Sequence, residues 1–158
     1  MADGPSIHRA LAARRATVAV AESLTAGLVC AALTETPGSS ATFRGGLVVY
    51  STDLKHSLAG VPRALLEAHG PVSAPAAEAL AVGVRERLGA TIGLSLTGVA
   101  GPDPQDGVSV GTVYLGLAGP DGTVVRSLIL AGRRDDVRRA SVAAGLDLLW
   151  AVLRESSG

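Results

Sequence analysis

Apolar residues recur at two periods along this chain, and each change of period marks a change of element. Residues 5–15 (PSIHRALAARR) set Ile7, Ala10 and Leu11 at helical spacing with arginines opposite, which predicts a helix. TVAVAES is short and alternates Val with Ala, so it predicts a strand over 17–21. Ser23 or Thr25 can cap the next helix, 24–35, which Pro37–Gly38 ends. The run GGLVVYS is apolar on both faces, as expected of a strand near the middle of a covered sheet. A short helix opens near Thr52–Asp53, and another follows Val61–Pro62. Ser73 caps a longer helix with Pro75 in its first turn and Gly89 at its end. TIGLSLTG is a second buried strand, and it runs into the glycine-rich loop GVAGPDPQDGVSVG.

The next pattern is the clearest. Two alternating runs, GTVYLGLAG and TVVRSLIL, flank Pro120-Asp121-Gly122 and predict a β-hairpin. The last helix, 134–153, carries Val137, Ser141, Ala144, Leu148 and Val152 on one stripe. Strands separated by helices, with one antiparallel hairpin, predict an α/β fold: a three-layer α/β/α sandwich on a mixed sheet. The 158 residues make one domain, 1–158.

Composition narrows the function. Aromatics are only 3% of a chain that is 47% hydrophobic, so Leu, Val and Ala must fill the core. Fourteen Lys+Arg balance fourteen Asp+Glu, which leaves no basic excess to hold a nucleic acid. No apolar run reaches the ~18 residues of a membrane span and no export signal is visible, so a soluble cytoplasmic protein is expected. The single Cys30 allows no internal disulfide, and His8, His56 and His69 lack metal-ligand spacing. Neither GxxxxGK[ST] nor GxGxxG occurs, so no dinucleotide or triphosphate motif is present. No metal and no cofactor are expected.

Four stretches could carry chemistry. In AESLTAG, Ser23 and Thr25 stand at a helix start, either as caps or as the floor of an anion site. In SLTGVAGP, Thr97 and Gly98 follow a buried strand, where α/β sheets bind ligands, or simply make a glycine turn. In GRRDDVRR, Arg138 either pairs on the surface or clamps a phosphate or carboxylate. The fourth stretch, PGSSATFRGGLVVYSTDLK, holds Ser40, Tyr50 and Lys55. A lysine can activate a serine only when neutral, which means lowering its pKa from ~10.4 by roughly 3 units, about 4 kcal/mol. Ser40 precedes the predicted strand and Tyr50 closes it, a separation of roughly 16 Å at 3.3 Å per residue. The 37–44 loop would have to fold back for Ser40 to meet Lys55, so spacing alone favours an exposed lysine and ordinary loop serines.

In order, AESLTAG, PGSSATFRGGLVVYSTDLK, HGPVS, TGVAGP, VGTVYLGLAG and GRRDDVRR resemble the CinA C-terminal domain family, the nicotinamide-nucleotide amidohydrolases, over about residues 8–153. The chain is similar to the stand-alone form rather than to longer members with a further nucleotide-processing domain. The resemblance implies metal-independent hydrolysis of nicotinamide mononucleotide to nicotinate mononucleotide and ammonia by a Ser/Lys mechanism, in pyridine-nucleotide salvage. It implies Ser40 as nucleophile, Lys55 as base and Tyr50 beside them, with Ser23, Thr97 and Arg138 lining the site. It also implies a homodimer with a small-molecule nucleotide as its partner. Where the family often has ESCTGG this chain has ESLTAG, with Leu24 and Ala26 in place of Cys and Gly. The competing expectation is a nucleotide-binding module of the competence/damage-inducible type that turns nothing over.

Overall fold

The computed structural model describes residues 2–155. Eleven regular elements follow one another: α1 (Gly4–Ala13), β1 (Val18–Glu22), α2 (Leu28–Thr34), β2 (Phe43–Val48), α3 (Thr52–Ser57), α4 (Arg63–His69), α5 (Ala74–Arg87), β3 (Ile92–Gly98), β4 (Thr112–Gly119), β5 (Gly122–Ile129) and α6 (Arg134–Glu155). A 3₁₀ turn, Ser39–Ala41, leads into β2. The five strands form one sheet in the order β2-β1-β3-β4-β5. β1 pairs in parallel with β2 and β3, whereas β3–β4 and β4–β5 are antiparallel, so the sheet is mixed as expected.

Strand alternation divides the core. Val18 and Val20 of β1 face one side, where they join Ile7 and Leu11 of α1, Val29 and Leu33 of α2, and Val137 and Leu148 of α6. Ala19 and Ala21 face the other side, with Leu54 of α3, Leu65 of α4, and Leu80 and Val84 of α5. Helices therefore cover both faces, which is the three-layer sandwich. Ser73 caps α5 as expected, accepting from the Ala76 N–H at 3.2 Å.

Two expectations need correction. β2 is not central: it is an edge strand of alternating exposure, with Val48 46% exposed. Its apolar run reflects Leu47 packed on the α3–α5 core beside a Val48 that stays largely exposed, not burial of both faces. The helix expected over 24–35 begins only at Leu28, because Ala26 (φ 46) and Gly27 (φ 102) are left-handed and break the helical path.

α5 packs directly on the backbone of β3 and β4, and glycines make that possible. A methyl group at Gly93 would strike the Ala81 carbonyl of α5, and one at Gly116 would strike the Ala77 carbonyl. Gly93→Ala is expected to cost about 1–3 kcal/mol through overpacking. A lowered urea midpoint at unchanged slope is the measurement that checks it.

Candidate active site

The period of β1 builds the site. Glu22 points to the α1/α2/α6 side with Val18 and Val20, so the next residue, Ser23, emerges on the α3–α5 side at the carboxyl edge of the sheet. Ser23 N–H donates to the Leu96 carbonyl of β3 at 3.0 Å, which fixes its main chain. Lys55 enters from the same side, on the first turns of α3. It is only 2% exposed. Its Nζ donates to the carbonyls of Val49 (2.8 Å) and Tyr50 (3.3 Å) and to Ser23 Oγ (3.1 Å).

Burial pushes the Lys55 pKa down from 10.5 to about 8, because the buried charge is poorly solvated. Near that pH a large share of the side chain is neutral. Its two remaining hydrogens then suit the Val49 and Tyr50 carbonyls, and the Ser23 hydroxyl can donate to its lone pair. The two carbonyls thus aim the base at the serine.

This pair lies in a cavity of about 340 Å³ whose wall includes Ser23, Tyr50, Lys55, Gly98, Gly101 and Arg134. Arg134, in the first turn of α6, reaches over the opening. It donates from Nη1 to the Gly101 carbonyl (2.5 Å) and from Nη2 to Tyr50 Oη (3.2 Å). The Tyr50 ring is 58% exposed, so its hydroxyl serves the rim while its carbonyl serves Lys55.

Of the residues expected from sequence, Lys55, Tyr50, Ser23 and Gly98 meet here. Ser40 does not, and this is a correction. It is exposed, in the 3₁₀ turn before β2, whereas Lys55 lies past the other end of that strand. Six residues at 3.3 Å each put roughly 20 Å between the two strand ends. The 37–44 segment does not fold back, since the Thr42 carbonyl receives the Val18 N–H at the amino end of β1. The lysine's serine is Ser23.

Three other expected contacts fall behind the cavity wall. Thr97 Oγ1 donates to the Pro71 carbonyl at 2.7 Å. Arg138, one turn beyond Arg134, donates from Nε to the Leu24 carbonyl at 2.9 Å and so braces the turn that carries Ser23. The Thr25 hydroxyl is buried without a hydrogen-bond partner among the described residues. Neither Ser23 nor Thr25 caps α2. That work falls to the Glu22 carboxylate, which accepts from the Val29 and Cys30 N–H groups at 2.9 and 3.0 Å. Arg134 is the site residue that sequence reasoning missed. GRRDDVRR is the right stretch, but Arg134 and Arg138 are four residues apart on one face of α6, so position along the helix selects Arg134 at the cavity and leaves Arg138 one turn on at the Leu24 carbonyl, and that position is set by packing.

Fold and cavity together define an α/β protein with a buried lysine–serine pair at the carboxyl edge of a mixed sheet. The family model for the CinA C-terminal domain matches residues 5–153, and the chain belongs to that family. It is 55% identical over 143 residues to a CinA-like protein of Frankia casuarinae, covering 90% of this chain and 33% of that protein. It is 45% identical over 151 residues to a CinA-like protein of Mycobacterium marinum, covering 94% and 35%. The chain thus spans about a third of the length of these relatives. Among solved structures, the competence/damage inducible protein CihA of Agrobacterium tumefaciens superposes with a TM-score of 0.90 at 32% identity, over 96% of this chain and 93% of that one. A competence or damage-inducible protein of Enterobacter asburiae superposes with a TM-score of 0.92 at 28% identity, covering 95% of each. No helix among the described residues is long and apolar enough to cross a membrane.

Proposed function

We propose that this domain hydrolyses the carboxamide of nicotinamide mononucleotide to nicotinate mononucleotide and ammonia, with Ser23 as nucleophile and Lys55 as general base. The observation that carries the reading is the 3.1 Å approach of the buried Lys55 Nζ to Ser23 Oγ inside a cavity. Neutral Lys55 removes the Ser23 proton as Oγ attacks the carboxamide carbon. The ammonium so formed gives its proton to the amide nitrogen, and ammonia leaves an acyl group on Ser23. Lys55 then deprotonates a water molecule, which cleaves the ester and returns Ser23 to its hydroxyl form.

The oxyanion needs donors that are not already spent. The backbone N–H groups of Leu24, Ala100 and Gly101 stand on the cavity wall and donate to no described residue. Donors of this kind contribute about 3–4 kcal/mol each to acyl transfer. The 5′-phosphate needs a cation at the mouth, and Arg134 keeps guanidinium N–H groups beyond those held by Gly101 and Tyr50. The same reading takes the protein as a homodimer acting in the cytoplasm on a small nucleotide.

The test is ammonia release from nicotinamide mononucleotide in the presence of chelator, with nicotinate mononucleotide identified by mass. Equal amounts of both products, in proportion to enzyme, are the expected result. Saturable binding of the mononucleotide with no ammonia at high protein concentration would favour the non-catalytic nucleotide-binding module instead.

A further inference from the structure

We propose that Glu22 is a positioning residue for this hydrolysis, setting Ser23 Oγ against Lys55 by closing the turn between them; this rests on the reading of Ser23 as nucleophile. Glu22 has no exposed surface, and no Lys or Arg pairs with it among the described residues. Burying a carboxylate without a counter-cation is costly unless hydrogen bonds replace water. Here both oxygens are engaged, Oε1 by the Val29 N–H and Oε2 by the Cys30 N–H. A neutral cap at the residue before α2 would serve the helix more cheaply. That residue is Gly27, which has no side chain to offer.

The consequence lies in connectivity. The chain leaves Glu22, runs through Ser23 and the turn, and comes back to the Glu22 side chain at Val29. The loop so closed contains two consecutive left-handed residues, Ala26 and Gly27, and the first of these is strained without glycine's freedom. Glu22 also governs the base. Its carbonyl receives the Val49 N–H at 2.8 Å, and the Val49 carbonyl in turn receives Lys55 Nζ. One residue therefore fixes the nucleophile through its side chain and the base through its main chain.

Glu22→Gln keeps the shape but turns an NH₂ group toward one of the two N–H donors, so one bond is lost. A displacement of Ser23 of about 1 Å costs about 10- to 100-fold in rate. The expected result is a kcat lowered by about that factor with KM within about twofold, since the variant leaves Arg134 and the cavity mouth in place. Labelling of Ser23 by a fluorophosphonate, which needs no nucleotide, should slow by the same factor.

Leu33→Ala, a buried core truncation on α2, is the stability control and should label at the wild-type rate. If Glu22→Gln lowers stability as Leu33→Ala does yet labels and turns over like the wild type, Glu22 is a structural cap and the inference is overturned. Should Glu22→Gln not fold, Glu22→Asp, which keeps the charge on a shorter arm, makes the same comparison. A wild-type protein that labels at some residue other than Ser23 overturns the nucleophile assignment and this inference with it. Labelling at Ser23 that is indifferent to Glu22 overturns the inference alone.

Discussion

Ser23→Ala is expected to lower kcat/KM for nicotinamide mononucleotide by at least about 10³-fold, while Ser40→Ala stays within about twofold. The two serines make the contrast sharp. Ser23 Oγ is 3.1 Å from the only lysine of the cavity, and Ser40 stands exposed at the opposite edge of the sheet. Removing Ser23 Oγ takes away one of three Lys55 acceptors but leaves the Val49 and Tyr50 carbonyls in place. The variant should therefore fold and still bind the mononucleotide, so that the loss falls on kcat. Steady-state kinetics beside a binding measurement check this. Wild-type turnover in Ser23→Ala would refute the assignment.

Lys55→Met is expected to be as inactive, and it should also change how stability depends on pH. In the wild type, kcat/KM should rise with pH through about 8 as Lys55 loses its proton and becomes a base. The sign for stability follows from linkage. The folded-state pKa of about 8 lies below the unfolded value of 10.5, so between these values the unfolded chain binds more protons. Wild-type stability from this group consequently rises with pH across that window, and below about pH 8 the full cost of burying the ammonium is felt. Methionine carries no such cost. Its stability relative to wild type should fall by about 2 kcal/mol between pH 7.5 and 9.5, read from urea unfolding at each pH. A flat difference would mean that Lys55 titrates in the folded protein as it does in the unfolded chain.

Much of this fold could be read from the pattern of residues. Alternation about Pro120-Asp121 marked the hairpin that became β4 and β5, and Ser73 with Pro75 marked the start of α5. These signals are local: a turn, a cap and a period all act over a few residues. β2 misled for the same reason, because Leu47–Val49 presents apolar side chains on both faces whether its strand is central or at the edge. What places it at the edge is that no described residue pairs with its far side, a property of the whole sheet.

The site divides along the same line. Lys55, Tyr50 and the AESLTAG turn were recognisable as reactive types in polar loops at strand ends. Which serine faces the lysine was not: the resemblance pointed to Ser40, fifteen residues away, and no local signal pointed to Ser23, thirty-two away. Parallel pairing of β1 with β2 reverses that order. It carries the end of β1 and the segment after β2 to one edge of the sheet, and leaves the segment before β2 at the other. Arg134 over Arg138 was settled likewise by where along its axis α6 meets the cavity, and Glu22 over Ser23 or Thr25 as the cap by which face of β1 the Glu22 side chain takes. Element types and candidate groups follow from short-range sterics and periodicity, whereas the serine–lysine contact arises from strand order, a long-range property that no local window contains.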